Sequence, residues 1–248
     1  MKRRLTYCAA MLALLAPLTL VSAVSSGASS PSSPNNTATT TAPSAKFLIS
    51  TAMHNAEGSS WVHEEVALIY KGKIVVAGVG NESVLGSTEN IKLENGGYAD
   101  LVALDNQKKV YEKADSQGYT FAQPSPKVPS ADYNKWILLT PGDPNYNSSI
   151  DGSSIPTEFR QYHITGTLSV GPLTTLDGVK VWPVHGTLSA VDALGSGPGV
   201  IYVTADGKEW PMAMSQTYRG VTEARTWTAW NTPAVIRAPS GAISGAGL

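Results

Sequence analysis

The chain reads as an α+β domain: an antiparallel β-sheet preceded by one amphipathic helix. Three observations predict this. From Trp61 onward, short β-branched and aromatic runs recur, separated by turns rich in Gly, Asn, Asp and Lys. The closing stretch shows the rhythm best. Val200-Ile201-Tyr202-Val203-Thr204 leads into Asp206-Gly207, then Trp210-Pro211-Met212-Ala213-Met214, then Thr226-Trp227-Thr228-Ala229-Trp230. Only the segment after Ser44 has helical spacing, with Phe47, Leu48 and Ile49 followed by Ala52 and Met53.

The elements follow in order. Lys2, Arg3 and Arg4 precede an apolar run over 9–21 that Pro17 interrupts, and Val21-Ser22-Ala23 offers a small-x-small cleavage site. This predicts a signal peptide over 1–23 rather than a membrane span, for which the run is short. Residues 24–43 are Ser, Thr, Ala, Pro and Asn with little to bury, which predicts a disordered tether. The folded domain is expected over 44–239. Ser44 caps a helix from Ala45 to about Gly58.

Strands are expected over 61–70 and 74–79 around the Lys71-Gly72-Lys73 turn. Further strands are expected over 89–94 and 98–104 around Asn95-Gly96-Gly97, and over 109–113. A connection holding Pro124, Pro126 and Pro129 has room for a short helix only. A strand-like piece over 136–140 stops at Pro141-Gly142, and 145–156 reads as loop. Strands over 159–170, 179–191, 200–204, 209–216 and 222–229 complete the sheet. The tail over 240–248 is Gly, Ser and Ala with two aliphatics, and is expected to be flexible.

Composition excludes several classes. The net charge is −1 over 248 residues, and losing the leader removes three cations. No basic face for nucleic acid or anionic lipid is left. The one cysteine, Cys8, lies in the leader, so no disulfide staples the mature chain, which must hold itself by burying a core. Leu5-Thr6-Tyr7 before Cys8 lacks the small residue of a lipoprotein cleavage site, so no lipid anchor is expected. Asn35, Asn81 and Asn147 each begin a glycosylation tripeptide.

No nucleophile elbow, Walker loop or dinucleotide glycine pattern is present, so neither an enzyme nor a cofactor is expected. His63 and Glu65 share a strand face and could seed a metal site, but two further ligands are missing nearby. No metal is therefore expected. Asp100, Asp105 and Asp115 suit turns and strand ends better than a carboxylate pair. Trp61, Trp136, Trp182, Trp210, Trp227 and Trp230 fit packing in the core and between strands better than a sugar-stacking platform.

Three stretches carry a resemblance. They are Ile91-Lys92-Leu93-Glu94-Asn95-Gly96-Gly97-Tyr98-Ala99-Asp100-Leu101-Val102, Lys109-Val110-Tyr111-Glu112-Lys113-Ala114-Asp115, and Lys135-Trp136-Ile137 through Thr140-Pro141-Gly142-Asp143-Pro144. With Val200-Ile201-Tyr202-Val203 through Trp210-Pro211 and Ala229-Trp230-Asn231-Thr232-Pro233-Ala234-Val235, their succession resembles the LolA-like lipoprotein-carrier superfamily, and more closely the actinobacterial LppX/LprG-type lipoproteins. Here Val24 stands where those proteins carry a lipobox cysteine. The Gly/Ser-rich stretch between Asp143 and Phe159 is also short for their lid helix.

The resemblance implies a strongly curved half-barrel with its helices on the concave side, holding acyl chains between sheet and helices. It implies no catalytic residues. The expected function is thus a secreted or envelope-located, non-catalytic binder of an apolar ligand, a lipid or acylated molecule. An envelope protein is a candidate partner, and the oligomeric state is left open. The alternative is a structural or interaction module of the cell surface without a cavity. Expected cavity residues are Phe47, Leu48, Ala52 and Met53 on the helix. On the sheet, period-2 spacing groups Val66 with Leu68, Val75 with Ala77, Leu101 with Ala103, and Ile201 with Val203.

Overall fold

The structure, a computed structural model, describes residues 42–122, 128–143, 146, 155–160, 162–188 and 195–246. The leader, all but the last two residues of the tether, and the Asn35 and Asn147 tripeptides lie outside the described residues.

Helix α1 (Ala45–Glu57) starts where the sequence places it. Ser44 is extended, and its Oγ accepts from the Phe47 N–H at 3.2 Å. Leu48, Ala52 and Ala56 form the buried stripe at i, i+4 and i+8, and Gly58 ends the helix. β1 (Trp61–Tyr70) then turns into β2 (Lys73–Ser83) through Lys71 and Gly72, both at positive φ (49° and 75°), the geometry a two-residue hairpin demands.

The chain continues outward through β3 (Gly86–Leu93), β4 (Tyr98–Leu104), β5 (Lys109–Ala114), helix α2 (Ser116–Ala122) and β6 (Ile137–Leu139). The carboxylate of Asp115 accepts from the Gly118 N–H at 2.7 Å and so caps α2. A Cβ at Gly118 would strike the Tyr98 carbonyl, so only glycine lets α2 lie this close on β4.

After helix α3 (Ile155–Phe159) the chain reappears at the far end of the sheet. There β7 (Ile164–Val170) and β8 (Thr174–Leu176) both pair with β9 (Val179–Leu188). It returns inward through β10 (Gly197–Thr204), β11 (Pro211–Tyr218) and β12 (Val221–Thr228), which pairs with β1. With β13 (Ile243–Ser244) at one edge, the strand order is β13-β6-β5-β4-β3-β2-β1-β12-β11-β10-β9-β7. The sheet is curved and unclosed, and its two halves meet at the β1–β12 ladder. This is the antiparallel α+β sheet that the strand pattern predicts, curved into the half-barrel that the resemblance implies.

Two segments depart most from expectation. The 159–170 region is not one strand. Phe159 is the last residue of α3 and β7 begins only at Ile164, because Phe159 turns inward to contact Tyr162, Trp227 and Trp230, with ring centroids 5.1–5.5 Å apart. That burial outweighs the local strand pattern. The tail is not frayed throughout: β13 (Ile243–Ser244) pairs in parallel with β6. Finally, the apolar character of β4 on both faces has a structural cause. Leu101 and Ala103 face the helix-covered concave side. Val102 and Leu104 face outward with Tyr111, under Ile236 and Ala242 of the C-terminal segment.

Truncation after Val235 should therefore destabilise the protein by about 1–3 kcal/mol, because it strips the β13 ladder and removes Ile236 and Ala242 from over the outer cluster. Chemical denaturation measures this, and an unchanged midpoint would show that the tail is dispensable.

Candidate functional site

The concave face carries two separate apolar cores. One lies under α2 and gathers Leu68, Ile91, Leu101, Val110, Tyr119 and Ile137; the other lies under α1 and α3 and gathers Leu48, Val62, Phe159, Ile201, Met214 and Trp227. A row of residues that carries three glutamates runs from the first core into the second. Cross-strand register aligns Ile137, Glu112, Leu101, Glu89, Gly80, Glu64 and Trp227 in one row over seven strands. Glu112, Glu89 and Glu64 thus share the face that elsewhere carries Val62, Leu68 and Val110.

A small pocket, about 50 Å³, opens over this row. Val66, Leu68, Val76, Ile91 and Phe121 form its apolar wall. Glu64, Glu82, Glu89 and Arg225, with Ser87 and Thr88, supply its polar lining. Gly78 and Gly80 line it as well. A Cβ at Gly78 would lie 2.6 Å from Val66 Cγ1 and 3.4 Å from Glu89 Oε1, so glycine keeps this floor open.

Arg225 ties polar groups together here. Its Nη1 donates to Oε1 of Glu64 at 2.9 Å and to Oε1 of Glu158 at 3.3 Å, and its Nε donates to Glu223 at 2.6 Å. The Trp227 indole N–H also donates to Glu64 Oε1, at 3.0 Å, and the Tyr162 hydroxyl donates to Glu158 at 2.7 Å. Carboxylate oxygens of Glu64, Glu82 and Glu158 lie within 4.8 Å of one another, a spacing that could hold a cation. The guanidinium already supplies positive charge between Glu64 and Glu158.

Burial, reinforced by the Glu158 charge and partly offset by Arg225, pushes the Glu64 carboxyl from 4.5 up to about 8. Burial alone pushes Glu112, enclosed in the first core with one carboxyl oxygen lacking a hydrogen-bond partner, to about 7.

The structure distributes the twelve expected cavity residues. Leu101 and Ala103 are buried in the first core, and Leu48, Ala52, Ile201 and Val203 in the second. Met53 packs against the second core and Val75 against the first. Val66 and Leu68 line the pocket. Phe47 points outward, 51% exposed, one position off the buried stripe of α1. Ala77 is registered with Ala67 and opens onto the convex face, so β2 presents Val76, Gly78 and Gly80 inward instead.

The glutamates and Arg225 were missed. The available signal was a charge at an inward parity: Glu64 between Val62 and Val66, Glu112 between Val110 and Ala114, and Arg225 between Glu223 and Trp227.

Other candidate groups have structural employment. Asn81 bonds His63 at 2.8 Å and Thr88 at 3.2 Å, which occupies its side chain as a glycan acceptor. His63 lies 3.9 Å from Glu65. Asp100 accepts from Asn90 and pairs with Lys113, and Asp115 serves α2. Trp61, Trp182 and Trp227 are buried, while Trp210 and Trp230 stack on each other at 4.9 Å.

No protein-family model matches the chain, and no curated protein matches it in sequence. Solved structures do. LprF from Mycobacterium bovis is similar over 79% of this chain and 97% of its own, at 12% identity with a TM-score of 0.55. The lipoprotein LppX from Mycobacterium tuberculosis is 15% identical over 78% of this chain and 98% of its own, with a TM-score of 0.41. The chain thus has the fold of LprF, a curved, unclosed antiparallel half-barrel with one N-terminal helix.

The raised carboxyls set the sign of the pH dependence. In the unfolded chain Glu64 and Glu112 lose their protons near 4.5; in the folded chain they keep them to about 8 and about 7. Through that window the unfolded state binds fewer protons, so stability falls as pH rises. The melting temperature should decline between about pH 5 and pH 8. Glu64→Gln and Glu112→Gln should each flatten the decline. A wild-type melting temperature that climbs over this range would contradict the assignment.

Proposed function

We propose that the chain is an extracytoplasmic, non-catalytic binder or carrier of an apolar ligand, a lipid or acylated molecule, held on the concave face between the two cores. The observation that supports this best is the pocket itself, whose lining divides between apolar residues, among them Val66, Leu68, Val76, Ile91 and Phe121, and the polar Glu64, Glu82, Glu89, Arg225, Ser87 and Thr88. That division matches an amphiphile. The half-barrel fold, associated through the resemblance with carriage of acyl chains, points the same way. The leader over 1–23 supports export. No helix among the described residues is long and apolar enough to cross a membrane.

At about 50 Å³ the pocket accommodates water but not an acyl chain. Loading therefore displaces Phe121, carried on the short helix α2, and the ligand replaces its packing.

An interaction module is the second reading. It is favoured by an open groove of about 350 Å³ on the convex face, flanked by Glu65, Ala67, Ala77 and Lys92, where Ile74 and Val79 are exposed.

Titration with a fluorescent fatty-acid analogue separates the two. The carrier reading expects saturable binding that Val66→Phe weakens at least about ten-fold by filling the pocket, at a stability cost of about 1–3 kcal/mol that leaves the variant folded. Absence of saturable binding to wild type would remove the carrier reading in favour of the module.

A further inference from the structure

The Arg225 network joins three distant parts of the chain: Glu64 on β1, Glu223, Arg225 and Trp227 on β12, and Glu158 on α3 with Tyr162 just beyond it. The groups facing Glu64 are Glu82 from β2, Glu89 from β3, Glu223 and Arg225 from β12, Glu158 from α3, and Tyr162. Arg225 is the one cation among them. Three carboxyls within 4.8 Å cannot all ionise beside a single guanidinium without strong mutual repulsion. A retained proton relieves it.

We propose that a proton shared among the carboxyls of Glu64, Glu158 and Glu82 is a latch that seats α3 and Tyr162 against the sheet, and that loss of this proton releases them.

The mechanics follow from which partner can yield. Glu64, Glu82 and Arg225 stand on strands laddered on both sides. Glu158 stands on a helix of five residues, which cannot sustain itself without its tertiary contacts. When the proton leaves, the new charge at Glu64 pushes on Glu158, and α3 is the element that moves. Seating it are the burial of Ile155 and Phe159 and a surface pair between Arg160 and Glu57 at 3.4 Å.

The raised titration of Glu64, to about 8, puts the latch closed in neutral and acidic solution and open in alkaline solution. Its departure uncovers Trp227 and the end of the pocket where Glu64 and Arg225 lie. The latch itself does not depend on the carrier reading; a role in admitting ligand would rest on it.

Two amides report on the seat directly: Arg160 N–H bonds Pro156 O at 3.3 Å, and Tyr162 N–H bonds Phe159 O at 3.2 Å. The experiment is amide hydrogen exchange on the full ligand-free chain from pH 6 to 9.5, corrected for intrinsic exchange and referenced to amides of β10. In wild type, protection at Arg160 and Tyr162 should fall about ten-fold or more as pH passes 8, while β10 is unchanged. In Glu64→Gln protection should not depend on pH. In Glu158→Gln it should also stay high at pH 9.5, because the repelled charge is gone, and this variant carries the comparison where Glu64→Gln does not fold. Constant protection in wild type overturns the latch, as does the same loss in a folded variant. Since no ligand is present, either outcome leaves the binding reading untouched.

Discussion

A guanidinium enclosed by carboxylates inside a sheet is the interaction on which the concave face depends. Arg225 is 7% exposed, and its partners Glu223, Glu158 and Glu64 are 4%, 7% and 13% exposed. Removing one partner of such a group leaves an uncompensated buried charge, a penalty of about 3–5 kcal/mol. The same group lies at the β1–β12 junction, where the outward-running and returning halves of the sheet meet. It fixes where α3 sits, and through Glu64 it puts a polar group in the row that joins the two apolar cores. Replacing it with hydrophobic residues would let the cores merge, so its presence argues for a role beyond stability.

Covering a curved sheet is a two-sided problem, and this chain solves it with little helix. On the concave side α1 covers the β7–β11 end and α2 the β4–β5 end, which leaves the pocket between their territories. On the convex side the C-terminal segment covers Val102, Leu104 and Tyr111 and then adds β13 at the open edge. An exposed edge is a template for association, and a short covering strand blunts it.

Much of the fold was legible because local signals agreed. The Ser44 cap and i, i+4 spacing placed α1, and Trp61 and Tyr70 bounded β1 to the residue. The Lys71-Gly72 and Asn95-Gly96 turns set the hairpin rhythm. What could not be read depends on partners far along the chain. Phe159 is helical because Trp227 and Trp230 wait for it, and Ile243 is a strand because Ile137 offers an edge. The site was less legible. Parity within β2 could not be settled from its sequence, since Val75, Val76 and Ala77 are all apolar. Glu64 and Arg225 become a pair only through the β1–β12 register, across more than 150 residues.

The central claim is that this concave face takes an apolar ligand. Native mass spectrometry of the protein recovered from its own host, without detergent or organic solvent, tests it most directly. The account predicts a mass in excess of the polypeptide that is lost on solvent extraction, with acyl chains recovered in the extract. A polypeptide mass alone, with no acyl material released, would contradict it.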